Sequence, residues 1–187
     1  LSSSNRLGFS TRAIHAGQTP EPTTGAVMVP IFQTSTYAQD GVGGHKGYEY
    51  SRTGNPTRAA LEACLASLEG GRFGACFASG SAAAMTICDL LRPGDHVLSS
   101  DDVYGGTYRL FTTSIAHREV DFTFVDLTQL DAVRAGLRPG KTKMVWIETP
   151  TNPLLKIADI EAIAAMAHEV GAFCVVDNTF ATPWNQQ

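Results

Sequence analysis

Short polar groups follow apolar segments at four places in this sequence, and each group could bind part of a ligand. They are Ser79-Gly80-Ser81, Asp101 to Gly106 with Tyr104, Glu148 to Asn152, and Asp177 to Thr179. Backbone N–H groups bind anions, a tyrosine ring can stack on a planar ligand, and a carboxylate can pair with a cation. The four groups therefore define a candidate binding site if the fold brings them together.

The stretch "FASGSAAAM" predicts a strand, a turn and the start of a helix with small side chains. N–H groups at a helix N-terminus bind anions, most often phosphate, and Gly80 permits close approach of a ligand to the backbone. An ordinary strand-to-helix turn explains the stretch equally well. The sequence has no Walker Gly-Lys-Ser/Thr and no G-x-G-x-x-G pattern, which disfavours a dinucleotide.

Asp177 ends the apolar run "FCVVD", so its carboxylate is expected to be partly desolvated and to need a partner. A protonated pyridine nitrogen would satisfy it, whereas a helix N-cap or a surface turn would also account for an acid here. Tyr104 and Asn152 have a similar alternative, because either could serve only its own turn. An anion cradle, an aromatic ring and a carboxylate at one sheet edge would together suit pyridoxal 5′-phosphate (PLP).

The elements that would position these groups alternate between helix and strand. Helices are predicted at residues 55–71, 80–95, 105–117, 128–137 and 159–171, and strands at 72–79, 96–100, 120–127, 142–149 and 172–179. Thr128 and Asp159 are candidate helix N-caps. The alternation predicts an α/β fold with a mainly parallel sheet and helices on both faces. Ligands of such sheets bind beyond the carboxyl ends of the strands, where all four polar groups would lie.

Residues 1 to about 56 show little helix or strand periodicity and are rich in Gly, Pro, Thr and Ser. Apolar side chains such as Ile31 and Phe32 nevertheless need burial, so we expect an arm that packs on a second subunit.

The composition excludes several classes of protein. Lys and Arg number 14 against 18 Asp and Glu, a net charge of −4, so neither nucleic acid nor a membrane surface is an expected partner. The four cysteines are scattered through apolar segments, which predicts free thiols and a cytoplasmic protein. The five histidines lack metal-ligand spacing, so no metal site is expected.

Seven stretches resemble the PLP-dependent enzymes of cysteine and methionine metabolism, which include cystathionine γ-synthase and cystathionine γ-lyase. They are "TRAIHAG", "TGAVMVPIFQTSTY", "YEYSRTGNPTR", "FASGSAA", "DDVYGGT", "ETPTNPLLKIADI" and "VVDNTFATP", in the family's order over nearly the whole chain. The resemblance implies an aspartate-aminotransferase-like large domain of PLP fold type I after the extended arm. It also implies PLP as cofactor, small amino-acid substrates, and a homotetramer built as a dimer of dimers with shared active sites.

The resemblance implies two sets of phosphate contacts. Tyr50 and Arg52 in "YSRTGNPT" would reach the phosphate in the neighbouring subunit. The backbone of Gly80 and Ser81 would hold the phosphate of their own subunit. Many family members have methionine where Ser81 stands, a difference that a backbone contact tolerates.

The resemblance also implies roles around the PLP ring. Tyr104 would stack on the ring and assist proton transfer, and Asp177 would pair with the ring nitrogen. Asn152 would lie near the ring hydroxyl and the substrate carboxylate, and Thr179 would lie below the ring. Glu148 matches a recurrent acid whose role is left open.

The family's Schiff-base lysine lies in a Ser-x-Thr-Lys motif, and none of Lys46, Lys141, Lys143 and Lys156 is in such a motif. The resemblance also implies that residues 1–56 are the arm that contacts a neighbouring subunit. Residues 57–187 would be the first part of the PLP-binding large domain, with the C-terminal part absent. The natural protein would then be roughly twice as long, and this chain alone would be inactive.

Within the family, cystathionine γ-synthase is favoured slightly over cystathionine γ-lyase. Gly106 stands where methionine γ-lyases tend to carry cysteine, and "HKGYEYSRTGNPT" is most similar to the bacterial synthase and lyase. The synthase replaces the γ-substituent of an activated homoserine ester by cysteine, whereas the lyase splits cystathionine into cysteine, 2-oxobutyrate and ammonia. O-Acetylhomoserine sulfhydrylase, a nucleotide-binding module and a non-catalytic fragment remain alternatives.

Overall fold

The computed structural model describes residues 7–187, which form two compact units. The first unit contains the described residues up to Cys76 together with Gln187, and the second runs from Phe77 to Gln186. The predicted arm also includes residues 1–6, which lie outside the described residues.

Two helices, α1 (Phe9–His15) and α2 (Pro56–Leu68), pack against each other in the first unit. The side chain of Asn55 caps α2 by accepting two backbone N–H groups, and proline occupies its first position, as the sequence predicts. The segment between the helices is irregular, with isolated antiparallel bridges Thr36–Tyr50 and Gln39–His45.

Helix α1 is a regular element in a segment that the sequence describes as irregular. So short a helix is marginal in isolation, and its stability comes from packing. The guanidinium of Arg12 donates a hydrogen bond to the carbonyl of Ser67 at the end of α2. The contact is tertiary, so the local sequence pattern could not reveal it.

Four parallel strands form the sheet of the second unit in the order β2-β1-β3-β4. They are β1 (His96–Ser100), β2 (Asp121–Val125), β3 (Thr142–Glu148) and β4 (Phe173–Asp177). Each lies within a predicted range, and the prediction of a parallel α/β sheet is confirmed.

The helices of the second unit are α3 (Gly80–Cys88), α4 (Gly105–Arg109), α5 (Leu130–Gly136), α6 (Ile160–Glu169) and α7 (Thr182–Asn185). Helix α4 continues as a π-helical turn, Leu110–Ile115, and a 3₁₀ turn, Ala116–Arg118. Asp159 caps α6 as predicted, since its carboxylate accepts the Ala162 N–H.

Side chains on the sheet alternate between two apolar cores, one on each face. Leu98 and Val145 belong to the core that includes residues of α5 and α6. Val97 and Trp146 belong to the core that includes residues of α3 and the π-helical turn. Because alternate residues share a face, Glu148 follows Trp146 onto the α3 side of the sheet.

Two local predictions were wrong. Residues 72–79 form no strand, because no described strand lies alongside them; the Cys76 N–H instead donates to the Glu62 carboxylate at 3.0 Å. Thr128 does not cap α5, which begins at Leu130. The hydroxyl of Thr128 donates to Asp126 at 2.8 Å instead, because the carboxylate two residues away is a strong local acceptor.

Candidate functional site

A cleft of about 580 Å³ opens at the carboxyl ends of β3 and β4, between the N-terminus of α3 and the loop after β1. The predicted site residues that line it are Gly80, Ser81, Tyr104, Asn152, Asp177 and Thr179. All belong to the second unit. The structure therefore gathers the polar groups at the sheet edge where the sequence places them.

The N-terminus of α3 contributes unused hydrogen-bond donors to this cleft. Ser79 accepts the Ala82 N–H on its hydroxyl and the Ala83 N–H on its carbonyl, both at 3.1 Å. Within residues 7–187, no acceptor lies on the N–H groups of Gly80 and Ser81. These two donors, at the positive end of a nine-residue helix, can bind an anion.

Gly80 is not required by the chain itself. A Cβ at this position would meet nothing within 4 Å, and the residue does not have a positive φ. The absence of a side chain instead leaves room in the cleft beside the N–H groups of Gly80 and Ser81, so that a ligand can approach the backbone closely.

Asp177 is the last residue of β4 and presents one unused carboxylate oxygen. The backbone N–H and the hydroxyl of Thr179 both donate to Oδ1, at 3.2 and 2.5 Å. In the described part of the chain no donor lies on Oδ2. Thr179 therefore holds the carboxylate in place while its second oxygen remains available to a cation.

Tyr104 lies at the N-cap of α4, and its side chain is half exposed. A Cβ on Gly106 would lie 2.3 Å from Cε1 of the Tyr104 ring. Only glycine at position 106 therefore permits this ring position.

Glu148, the last residue of β3, is the main site feature whose function the sequence left open. Its side chain is 5% exposed. Oε1 and Oε2 accept the Tyr104 N–H at 3.1 and 2.9 Å, and Oε1 also accepts the Asn152 N–H at 3.0 Å. Burial raises the pKa of Glu148, and the charge of Asp177 raises it further. The available signal was that Glu148, like Asp177, ends an apolar strand.

Two aspartates after β1 fasten the loop that follows β3; the sequence places them at this edge within the group Asp101 to Gly106 but assigns them no individual role. The ammonium of Lys156 lies 3.0 Å from both carboxylate oxygens of Asp101 and 3.1 Å from Asp126. The carboxylate of Asp102 accepts the Leu154 N–H at 2.9 Å. These contacts join the two loops that line one side of the cleft.

Tyr50 and Arg52 belong to the first unit and lie beside each other there. The guanidinium carbon of Arg52 is 4.9 Å from the centre of the Tyr50 ring, a cation–π contact. Their predicted phosphate contact in a neighbouring subunit remains a prediction.

Metal-ligating side chains do not cluster in residues 7–187: no group of three or more His, Cys, Asp or Glu residues is suitably arranged. No helix in the same range has both the length and the apolar character needed to cross a membrane.

Comparison with known sequences identifies the family to which this chain belongs. The model of the family described as Cys/Met metabolism PLP-dependent enzyme matches residues 10–187. A probable cystathionine γ-synthase of Herpetosiphon aurantiacus is 58% identical over 180 residues, 96% of this chain and 56% of the relative. The cystathionine γ-lyase of Bacillus subtilis is 51% identical over 177 residues, 95% of this chain and 46% of the relative. The chain spans about half the length of the curated relatives it matches.

Solved structures show the same fold. The metB crystal structure from Corynebacterium glutamicum has a TM-score of 0.94 and 45% identity, covering 98% of this chain and 48% of its own. Cystathionine γ-lyase from Lactobacillus plantarum, complexed with L-serine, has a TM-score of 0.91 and 50% identity, covering 95% of this chain and 46% of its own.

The parallel sheet, the cleft at its carboxyl edge and these structural neighbours define an α/β protein of PLP fold type I. The chain belongs to the Cys/Met metabolism PLP-dependent enzyme family, whose cofactor is PLP. The predictions of family, fold class and cofactor are confirmed.

Proposed function

We propose that this protein is a PLP-dependent transsulfuration enzyme with cystathionine γ-synthase activity, which replaces the γ-substituent of an activated homoserine ester by cysteine. One observation carries the proposal: a single cleft contains two N–H donors, at Gly80 and Ser81, and a carboxylate oxygen of Asp177 that have no partner within residues 7–187. The choice of the synthase is supported by relatives of that name at 58% identity, from Herpetosiphon aurantiacus and Mycobacterium tuberculosis.

The chemistry of the cleft fits PLP at two places. The N–H groups of Gly80 and Ser81 would bind the phosphate, which needs anion-binding donors. The free Oδ2 of Asp177 would accept the hydrogen of the ring nitrogen and keep that nitrogen protonated. When bound, PLP supplies an electron sink for bonds at the substrate α-carbon, and Asp177 would preserve the positive charge on which this depends.

The remaining cleft residues would contact the ring and the substrate. Tyr104, with its half-exposed side chain, would lie against the ring face and move a proton through its hydroxyl. The Asn152 side chain would donate to the ring hydroxyl or to the substrate carboxylate.

We extend the proposal to the assembly, a homotetramer with shared sites. Residues 1–56 would be the arm that contacts a neighbouring subunit, and residues 57–187 the first part of the PLP-binding large domain. Val27, Met28 and Ile31 in the arm are 72%, 74% and 84% exposed, which suits an apolar surface covered by a second subunit. The free cysteines suit a reducing, cytoplasmic location.

Cystathionine γ-lyase activity is the second candidate. The solved lyase of Lactobacillus plantarum is 50% identical to this chain, against 45% for metB of Corynebacterium glutamicum.

Assays of the full-length natural protein with PLP decide between the two activities. An activated homoserine ester with cysteine is one substrate set, and cystathionine alone is the other. Cystathionine formation from the ester supports the synthase. Release of 2-oxobutyrate from cystathionine without ester turnover supports the lyase, and no turnover of either refutes both assignments.

A further inference from the structure

The carboxylate of Glu148 bonds to two different loops. The Tyr104 N–H comes from the loop after β1, and the Asn152 N–H comes from the loop after β3. Both residues line the cleft. Glu148 also pairs in register with Asp177 on the neighbouring strand. One buried side chain thus joins two loop residues of the proposed site, from a strand position beside Asp177.

Burying the Glu148 carboxylate costs free energy, which hydrogen bonds must offset. A carboxylate that is only 5% exposed has lost most of its hydration, and it lies beside a second acid on the next strand. Its compensation comes from hydrogen bonds to backbone N–H groups, which are strong because the acceptor is charged. Neither N–H group has another acceptor in the described part of the chain.

We propose that Glu148 is a positioning residue, whose carboxylate fixes Tyr104 and Asn152 relative to each other and to the edge of the sheet at Asp177. The consequence for PLP rests on the proposed function, whereas the fixing of the two loops does not. Rigid strands hold such constellations more accurately than loops do. Glu148 therefore extends the rigidity of β3 to two residues that lie on loops.

Glu148→Gln tests this with the smallest change of shape. An amide oxygen at the place of Oε1 keeps the Asn152 bond and lies 3.1 Å from the Tyr104 nitrogen. The amide nitrogen at the place of Oε2, however, lies 2.9 Å from the same Tyr104 nitrogen, donor against donor, which pushes the Tyr104 N–H away from the side chain. Glu169→Gln is the matched control, because it is the same chemical change at an exposed residue of the second unit, outside the cleft. Glu148→Asp keeps the charge but shortens the side chain by one methylene.

The first measurement is amide hydrogen exchange in the cofactor-free, full-length protein. Positioning predicts that exchange of the Tyr104 amide accelerates at least tenfold in Glu148→Gln, while amides in β1 and β3 stay unchanged. A general loss of stability would instead accelerate exchange across the whole sheet. If Glu148→Gln does not fold, the same comparison is made with Glu148→Asp.

The second measurement is the Kd for PLP together with kcat/KM. Displacement of about 1 Å near a reacting centre can cost about a hundredfold in rate, so kcat/KM should fall tenfold to a hundredfold in Glu148→Gln and not in Glu169→Gln. Unchanged exchange at Tyr104, or uniformly faster exchange, overturns the positioning role. If the wild-type protein does not bind PLP, the proposed function fails, and the exchange data still decide the role of Glu148.

Discussion

His96 should make the protein lose stability in mild acid. Its imidazole is fully buried at the start of β1, with Nδ1 2.8 Å from the hydroxyl of Thr142 and Nε2 2.9 Å from that of Thr123. Two charged groups lie nearby: Arg138 donates to Thr123 at 3.1 Å and to Asp121 at 3.2 Å. Burial lowers the pKa of His96 most, the positive charge of Arg138 lowers it too, and Asp121 opposes them less strongly, so that the pKa is about 4.

The direction in which stability changes with pH depends on whether the folded or the unfolded state binds the proton more readily. In the unfolded chain the pKa is near 6.5, so between pH 6.5 and about 4 the unfolded state binds a proton that the folded state does not. The contribution of neutral His96 to the free energy of unfolding is therefore fully present above pH 6.5 and decreases as the pH falls towards 4. The pKa difference corresponds to about 3 kcal/mol in full, of which about 2 kcal/mol is lost between pH 7 and pH 5.

Urea unfolding of the cofactor-free, full-length protein measures this loss, with His96→Gln as the non-titrating control. At pH 7 the variant should already be less stable by about 1–3 kcal/mol, because its amide cannot satisfy both hydroxyls equally well. Between pH 7 and pH 5 the wild type should lose about 2 kcal/mol more than the variant. Parallel losses in the two proteins, or an NMR titration of the His96 ring near 6.5, would refute the reasoning.

Three further substitutions test the cleft in the full-length protein. Asp177→Asn should keep the fold, because the amide oxygen still accepts from Thr179, but should lower turnover about a hundredfold or more through loss of the negative charge; near-normal turnover contradicts its role. Gly80→Ala should leave thermal unfolding of the cofactor-free protein nearly unchanged and raise the Kd for PLP about tenfold, since the new Cβ meets only the space of the ligand; an unchanged Kd contradicts the anion cradle. Gly106→Ala should displace the Tyr104 ring, because the Cβ would lie 2.3 Å from it, and a crystal structure with an unmoved ring contradicts this packing.

The location of the cleft could be predicted from the sequence because it depends on strands that are apolar runs. The segments that end in Glu148 and Asp177 are long enough and apolar enough to be recognised locally. Ligand binding at the carboxyl edge then follows from parallel pairing alone. Asp177 was found by the same reasoning, since an acid at the end of an apolar strand is conspicuous.

Contacts between loops could not be predicted in this way. The bonds from Glu148 to Tyr104 and Asn152 depend on how two loops fold back over the sheet, which no periodicity encodes. The burial of His96 is similar, because its hydroxyl partners come from strands that are distant in sequence. Local patterns predict elements, whereas these hydrogen bonds belong to the tertiary structure.

The two edges of the sheet differ in how completely their polar groups are satisfied, and this difference supports the site. At the amino edge both nitrogens of the His96 ring have hydroxyl partners, so a buried polar group adds rigidity without inviting a ligand. At the carboxyl edge, Oδ2 of Asp177 and the N–H groups of Gly80 and Ser81 have no partner within residues 7–187. All three residues line the same cleft. Gly80 and Ser81 are exposed, so water can bind their N–H groups until a ligand replaces it. A ligand with a phosphate at one end and a protonated ring nitrogen elsewhere would satisfy all three.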